Sequence, residues 1–523
     1  MTKLKQDLID QGFELRETHI SWVFLSRDRV YKVKKPVELG FLDFRTLDLR
    51  KRFCDAELQL NRRLAPSVYL NVVPIALDAR GVHRIERAGS GVEPVEWAVE
   101  MRRLADSACA EQWLAEGRLG RDDVRRLAEH LALFHARARC DAETAHYGSL
   151  EVIEANLREN FQQTRHSALR YLGGEELAEL ERWQHDCLTR QRDLFEARAR
   201  EGRVRDGHGD LRLEHCYLEP DGSAHIIDCI EFNERFRYAD VCADIAFLSM
   251  DLTWHGRNDL SEDFLAYYAR AADDYELYAL VDFYESYRAH VRAKVSAMLE
   301  EDDKADHEVR MRAGKRARKY YVLAESCMRE PLEPAVLYAV GGMIASGKST
   351  LAEQLAALIH APIIDSDRTR KRLLGVDPLR PLSHPPFSGA YASAMSTRTY
   401  DELLRRAELV LGSQRPAIID ASFRESSARS AALELARRCG VRFVFIECYA
   451  DPETIKARLA ARAQAPAISD GRAEIFDAFA ASYEPVVELP PRAYQRIDTG
   501  RSPEDIETIL RSITKRTGEW IPS

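Results

Sequence analysis

The stretch GGMIASGKST, residues 341 to 350, leaves few folds open to this chain. From Gly342 to Ser349 it fits G-x-x-x-x-G-K-[ST], directly after the apolar run AVLYAVGG and at the start of a run with helical periodicity. Such a loop works only where a strand ends and a helix begins. Its backbone N–H groups must converge on phosphate oxygens while the helix N-terminus adds positive potential. In that setting Gly342, Ala345, Ser346, Gly347 and Thr350 belong to the cradle, Lys348 reaches the β and γ phosphates, and the Ser349 hydroxyl is placed to ligate Mg2+.

The residues around this loop alternate between strand-like and helix-like segments. AVLYAVGG, APIIDSD, RPAIIDAS and VRFVFIECYA read as strands, each followed by a helical run, the last being PETIKARLAARA. That alternation implies parallel pairing, so the second half is expected to be a three-layer α/β P-loop NTPase domain with a parallel sheet. Asp365 and Asp367 fall at a strand end, where a carboxylate accepts the proton of an attacking hydroxyl, and Arg370 follows to hold an acidic part of the acceptor. The same residues also read as a helix N-cap and a solvated basic helix. Asp420, after another apolar strand, suits a Mg2+ contact, and Arg458 and Arg462, four apart on a helix, suit a lid over the nucleotide.

At 523 residues the chain is too long for one core, and Pro331 and Pro334 interrupt a helical stretch just before the strand that leads into the loop. The expected division is 1–333 and 334–523. The halves do not repeat each other. A 45% hydrophobic, 31% charged composition is that of a globular protein, and net charge −9 argues against a generally basic nucleic-acid binder. Ten Cys without a CxxC pair predict reduced thiols, and no apolar run reaches the roughly 20 residues that span a bilayer, so a cytoplasmic protein without a membrane partner is expected.

The first half opens with SWVFLSRDRVYKVKK, two short strands turning near Asp28, then the helical LRKRFCDAELQLNRRLA, further strands through VEWAVEMRRL, and mainly helical sequence from about 120 to 200 and from 240 to 330. Within it, HGDLRLEHCYL at 208 to 218 and Asp228 in HIIDCIEF stand thirteen residues apart across the span from His215 to Asp228. The order Lys, Glu, HGD, His, Asp points to a kinase-like fold.

This half resembles the aminoglycoside phosphotransferase and choline kinase families, of α+β protein-kinase-like fold. The resemblance rests on His208, Gly209 and Asp210 and on Asp228. It implies that Asp210 orients or deprotonates the acceptor hydroxyl, that Asp228 holds the main Mg2+, and that Lys32, paired with Glu57, contacts nucleotide phosphates, with Lys34 open as the alternative by strand parity. His215 stands where the families place an Asn that binds metal. Imidazole is a poor Mg2+ ligand, which leaves Mn2+, a single metal or a nucleotide-sensing relic as alternatives. The second half resembles P-loop kinases of the polynucleotide-kinase and zeta-toxin group, and the whole chain resembles bacterial fusions of the two domain types, judged by THISWVFL, YKVKKPVELGFLDF, CIEFNERFRYADVCADIAFLSMDL and YRAHVRAKV.

Asp240 and Asp244 are expected to brace the HGD loop. Arg288, Arg292 and Lys294 make either an anionic acceptor site or a solvated helix face. The function expected is a bifunctional kinase that moves the γ-phosphate of ATP or GTP to a hydroxyl of a small molecule or a nucleic-acid end, with no obligatory protein partner. A P-loop ATPase or GTPase switch with a degenerate kinase-like binding module, and a 5′-hydroxyl kinase of RNA or DNA, are the alternatives.

Overall fold

The computed structural model describes residues 2–40, 42–329, 335–382, 387–462 and 475–518, with the side chains of 462 and 516–518 left aside. The chain forms two compact units. Met1–Ser261 and Phe283–Cys327 make the first, while Glu262–Asp282 and Met328–Ser523 make the second.

In the first unit, strands Glu14–Glu17, Ser21–Leu25, Arg29–Lys34, Glu96–Arg102, Tyr69–Leu77 and His83–Ile85 lie in that spatial order, every neighbouring pair antiparallel. Side chains alternate across a pleated strand, so this sheet has two faces to cover. On one, Phe24, Val33, Ala98, Val73 and Ile75 bury Leu4 and Leu8 of helix Thr2–Asp10. On the other, Leu25, Val30, Val99 and Met101 pack on Cys54 of helix Leu47–Asn61. Thr46 caps that helix by accepting the Leu49 N–H. Burial of each large apolar side chain contributes about 1.5–3 kcal/mol, enough to fix the helix across the sheet.

The rest of the first unit is mostly helical. Its longer helices include Arg121–Arg137, Leu150–Ala168, Gly174–Arg190, Val241–Trp254 and His307–Ser326. Between them, strand Val204–Asp206 pairs with Tyr238–Asp240, and Cys216–Leu218 pairs with Ala224–Ile226. The HGD loop runs from the first of these pairs to the second.

The second unit has a five-stranded parallel sheet in the order Ile363–Asp365, Ala417–Asp420, Val336–Gly342, Arg442–Tyr449, Tyr494–Asp498. Every residue of Val336–Gly342 is buried, as a strand covered on both faces requires. Tyr338, Val340, Ile418, Val444 and Ile446 form its core with Leu351 and Leu355 of helix Lys348–Ile359 and Leu510 of helix Pro503–Gly518. The mixed α/β architecture with a parallel sheet is thus as expected, and Tyr494–Asp498 is a strand the sequence patterning did not single out.

One part of the division differs from the expected 1–333 and 334–523. Residues Glu262–Asp282, expected in the first half, group with the second unit. Polar contacts hold them there. The Tyr275 hydroxyl donates to the Ile363 carbonyl at 2.6 Å, Arg406 pairs with Asp273 at 2.7 Å, and Arg415 pairs with Glu262 at 2.8 Å and Asp282 at 2.9 Å.

Candidate active sites

Parallel register brings the second unit's polar residues to one edge. Val340 is opposite Asp420, and Asp420 is opposite Asp365, so both carboxylates leave the sheet beside the loop that follows Gly342. Open parallel sheets bind ligands at this carboxyl edge, where the chain crosses from one side to the other. The loop is shaped by its backbone. Ala345 has φ 57° and Gly347 φ 88°, left-handed conformations that turn successive N–H groups toward one point. Gly342 is at φ 131°, and a Cβ there would meet the Cys448 carbonyl oxygen at 2.2 Å. Only glycine fits.

Lys348 donates to the Met343 carbonyl at 2.7 Å, which lays its ammonium across the loop. The buried Ser346 hydroxyl has no hydrogen-bond partner among the described residues, a donor left over inside the cradle. These features fit a bound polyphosphate. Oxygen ligands for Mg2+ are close as well: Ser349 bonds Asp420, and burial first, then the Asp365 charge, pushes the Asp420 carboxyl up to about 7. Two carboxylates so near each other resist both being charged, which a divalent cation relieves. Among the described residues no group of three or more His, Cys, Asp or Glu forms a self-sufficient metal cage. A P-loop cation needs none, because phosphates and water complete its shell.

The expected acceptor residues separate. Asp365 caps helix Ser366–Leu373, accepting the Arg368 N–H at 2.8 Å. Asp367 stands half-buried in the first turn and acts electrostatically on Asp420. Arg370 departs from expectation: it is only 7% exposed, lies over the Tyr391 ring at 4.8 Å and donates to the Ala390 carbonyl at 3.0 Å. Its guanidinium is turned into the unit by that stacking. Arg458 donates to Thr499 Oγ1 at 3.0 Å and to the Thr499 carbonyl at 2.7 Å, and approaches the Ala345 carbonyl at 3.4 Å, so it braces the cradle from the side. The Arg462 side chain and most of the stretch expected to be a lid lie outside the described residues.

In the first unit, Lys32 and Lys34 point to the same face of their strand and meet Glu57, one on each oxygen, at 2.9 and 2.8 Å. Burial pushes the Glu57 carboxyl up, but the two ammonium groups outweigh it and hold it below its usual range. The lysines then diverge. Lys34 is wholly buried and also pairs with Glu231, whereas Lys32 reaches Asp228 at 2.6 Å. Lys32 is therefore the lysine at the Asp228 edge. Asp228 has φ 66°, rare for a residue with a side chain and often kept where function over-determines the backbone.

The HGD loop is held from beneath by Asp244, whose carboxylate accepts the His208 N–H at 2.6 Å and the Gly209 N–H at 2.9 Å. Gly209 has φ 87°, and a Cβ there would meet the Phe236 carbonyl oxygen at 2.8 Å. Asp240 does not share this task. It caps helix Val241–Trp254 and pairs with the buried Arg198 at 2.8 Å. Asp210 is gripped by Arg212 through Nε at 3.0 Å and Nη2 at 2.9 Å. Burial raises the Asp210 carboxyl, but Arg212 and then His215 outweigh it and hold it far below the usual range. His215 donates Nδ1–H to the Asp210 carbonyl at 2.8 Å, which turns Nε2 toward Asp228 Oδ2 at 3.7 Å. The imidazole, which stands where the families place a metal-binding Asn, thus lies between Asp210 and Asp228. Of the expected basic trio, Arg288 donates to the Ala243 carbonyl inside the core, Lys294 donates to Gln163, and Arg292 alone acts on Asp210.

Over 473 residues, 90% of either chain, the sequence is 34% identical to the uncharacterized protein Rv2004c of Mycobacterium tuberculosis. The chain belongs to the family of Rv2004c. Residues 337–486 of this Rv2004c-family chain also match the model of the AAA domain, which covers the P-loop, Asp365, Asp367, Asp420 and Arg458. Among solved structures, a gluconokinase from Sinorhizobium meliloti 1021 superposes with TM-score 0.26 at 19% identity, covering 36% of this chain and 96% of its own. A choline/ethanolamine kinase family protein from Mesorhizobium loti superposes with TM-score 0.34 at 13% identity, covering 61% of this chain and 92% of its own. At such scores neither likeness bears on activity.

Sequence reading missed several polar residues that hold these sites. Glu231, Arg212 and Arg198 each form a buried or half-buried ion pair with a residue that had been singled out. Arg212 and Glu231 lay within quoted motifs, and a charged residue between apolar neighbours was the available signal. Arg198 had none, because its partner is 42 residues away.

Proposed function

We propose that the second unit moves the γ-phosphate of ATP to a hydroxyl of a small molecule. The observation that carries this reading is the register that sets Asp420 and Asp365 beside the P-loop, with Asp367 in the first turn of the adjoining helix. ATP with Mg2+ supplies the phosphoryl group when bound. Lys348 and the loop N–H groups hold the phosphates, and Ser349 with Asp420 orients the cation. Asp367 takes the acceptor's hydroxyl proton as its oxygen attacks the γ-phosphorus and the bond to the β-phosphate oxygen breaks. A small acceptor is favoured over a nucleic-acid end by the net charge of −9.

The first unit is read as a second phosphotransferase site of protein-kinase-like type, with Asp210 as the acceptor-side carboxylate, Lys32 on the phosphates and Asp228 on the metal. A switch that only hydrolyses nucleotide is the second reading of the P-loop unit, favoured by Arg370, which is buried against the Tyr391 ring with Nη1 on the Ala390 carbonyl.

The test is nucleoside diphosphate release by the purified chain with pooled sugars, nucleosides, aminoglycosides and 5′-hydroxyl oligonucleotides. Acceptor-stimulated turnover that Lys348→Ala abolishes supports transfer at the P-loop. Turnover that no acceptor changes supports the switch.

A further inference from the structure

Behind Asp210 lies a group of cations and aromatic rings that the reading above does not use. Trp254 and Tyr320 stack at 5.2 Å with an interplanar angle of 21°. Lys319 sits 4.2 Å over the Trp254 ring and the Arg292 guanidinium 5.9 Å from the centre of the Tyr320 ring. A ring face stabilises a cation without consuming its N–H donors. The buried Arg292 Nε is left open to an oxyanion, while another donor of the same guanidinium goes to the Tyr320 hydroxyl.

The neighbouring charges are otherwise matched. Arg212 is taken by Asp210 and Glu214, His255 approaches Glu111 at 3.5 Å, and buried Asp251 accepts the Leu213 N–H at 2.9 Å. Arg292 differs. Its buried Nε has no hydrogen-bond partner, and it has no ion pair among the described residues, yet it acts electrostatically on Asp210. The buried Trp254 Nε1–H is likewise without a partner among the described residues. A half-buried guanidinium with an open donor costs free energy unless something fills it, and a planar fork matches the oxygens of a phosphate or carboxylate.

We propose that the first unit takes a hydroxyl compound that carries an oxyanion, such as a sugar phosphate or sugar acid, with Arg292 binding that oxyanion while Asp210 faces the hydroxyl. This rests on the phosphotransferase reading of that unit. In the step, the hydroxyl oxygen bonds to the γ-phosphorus of ATP, the bond to the β-phosphate oxygen breaks and ADP leaves, and the hydroxyl proton passes to Asp210. A cationic acceptor is disfavoured, because it would bring a second positive charge against Arg292 and Lys319.

The test uses the full chain carrying Lys348→Ala, which silences the P-loop. Calorimetry compares glucose with glucose 6-phosphate and gluconate, and includes kanamycin, in this background and with Arg292→Ala or Arg292→Lys added. The anionic compounds are expected to bind, and Arg292→Ala to weaken them roughly 10- to 100-fold, the range of a charge-assisted hydrogen bond, with partial recovery in Arg292→Lys. Equal binding of glucose or kanamycin, no binding of either anion, or binding of the anions unchanged by Arg292→Ala overturns the proposal. Coupled ADP release is measured in parallel. Arg292-dependent anion binding without turnover removes the phosphotransferase reading of this unit and leaves the oxyanion site standing.

Discussion

Lys32 and Lys34 hold the two oxygens of one carboxylate, Glu57, at 2.9 and 2.8 Å, and from there face in different directions. Lys34 is wholly buried, with a second carboxylate on Glu231. Lys34→Met would leave two buried acids sharing one ammonium and is expected to cost about 3–5 kcal/mol, read as a drop in the urea midpoint. Lys32→Met is expected to cost less stability, because its ammonium faces the Asp228 edge, and to abolish whatever turnover the first unit supports. Equal midpoints for the two variants would refute this division of labour.

Asp244 is the support of the HGD loop, through the N–H groups of His208 and Gly209. Asp244→Asn keeps the shape but replaces one acceptor oxygen with a donor, leaving a buried N–H unsatisfied at a cost of about 1–3 kcal/mol. Asp240→Asn should disturb the Arg198 pair and leave the loop in place. Hydrogen exchange at residues 207–215 is the measurement. Faster exchange is expected in the first variant only.

Gly342→Ala would put a Cβ 2.2 Å from the Cys448 carbonyl oxygen at a φ of 131° that side chains rarely adopt. The strand end must shift, and the loop with it. Nucleotide affinity, read by fluorescence titration with a labelled ATP analogue, is expected to fall at least as far as in Lys348→Ala, where only one contact is lost.

The inserted segment gives a separate prediction. Tyr275→Phe removes the hydroxyl that donates to the Ile363 carbonyl in the strand leading to Asp365. The buried carbonyl is left unsatisfied, so a loss of about 1–3 kcal/mol is expected. A thermal melt followed by tryptophan fluorescence, with and without nucleotide, checks it. No change in either condition would show that the segment is not part of the P-loop unit's support.

What could be read from the sequence follows from the range of the interactions. The P-loop was legible because its geometry is local: Gly342 and Gly347 at positive φ, a strand before and a helix after. The strands that carry Lys32 and Asp420 were legible from periodicity. Strand parity set Lys32 and Lys34 on one face but gave no means of choosing between them, since the choice depends on Asp228, 196 residues away. Arg370 looked like an acceptor contact because it follows Asp367 by three residues near the P-loop; it is buried because Tyr391, on a later segment, offers its ring. The place of Glu262–Asp282 was hidden for the same reason. Its helical pattern is ordinary, and its partners Arg406 and Arg415 lie 133 and 153 residues beyond Asp273 and Glu262.

The most direct test of the account follows the γ-phosphorus itself. ATP labelled at that position is incubated with the chain, Mg2+ and the pooled acceptors, and the label is partitioned between inorganic phosphate and acid-stable phosphate esters. An ester is expected from the wild-type chain and from Asp210→Asn, but not from Asp210→Asn combined with Lys348→Ala. Label recovered only as inorganic phosphate, with or without acceptors, would contradict transfer at the P-loop and leave a nucleotide-hydrolysing switch.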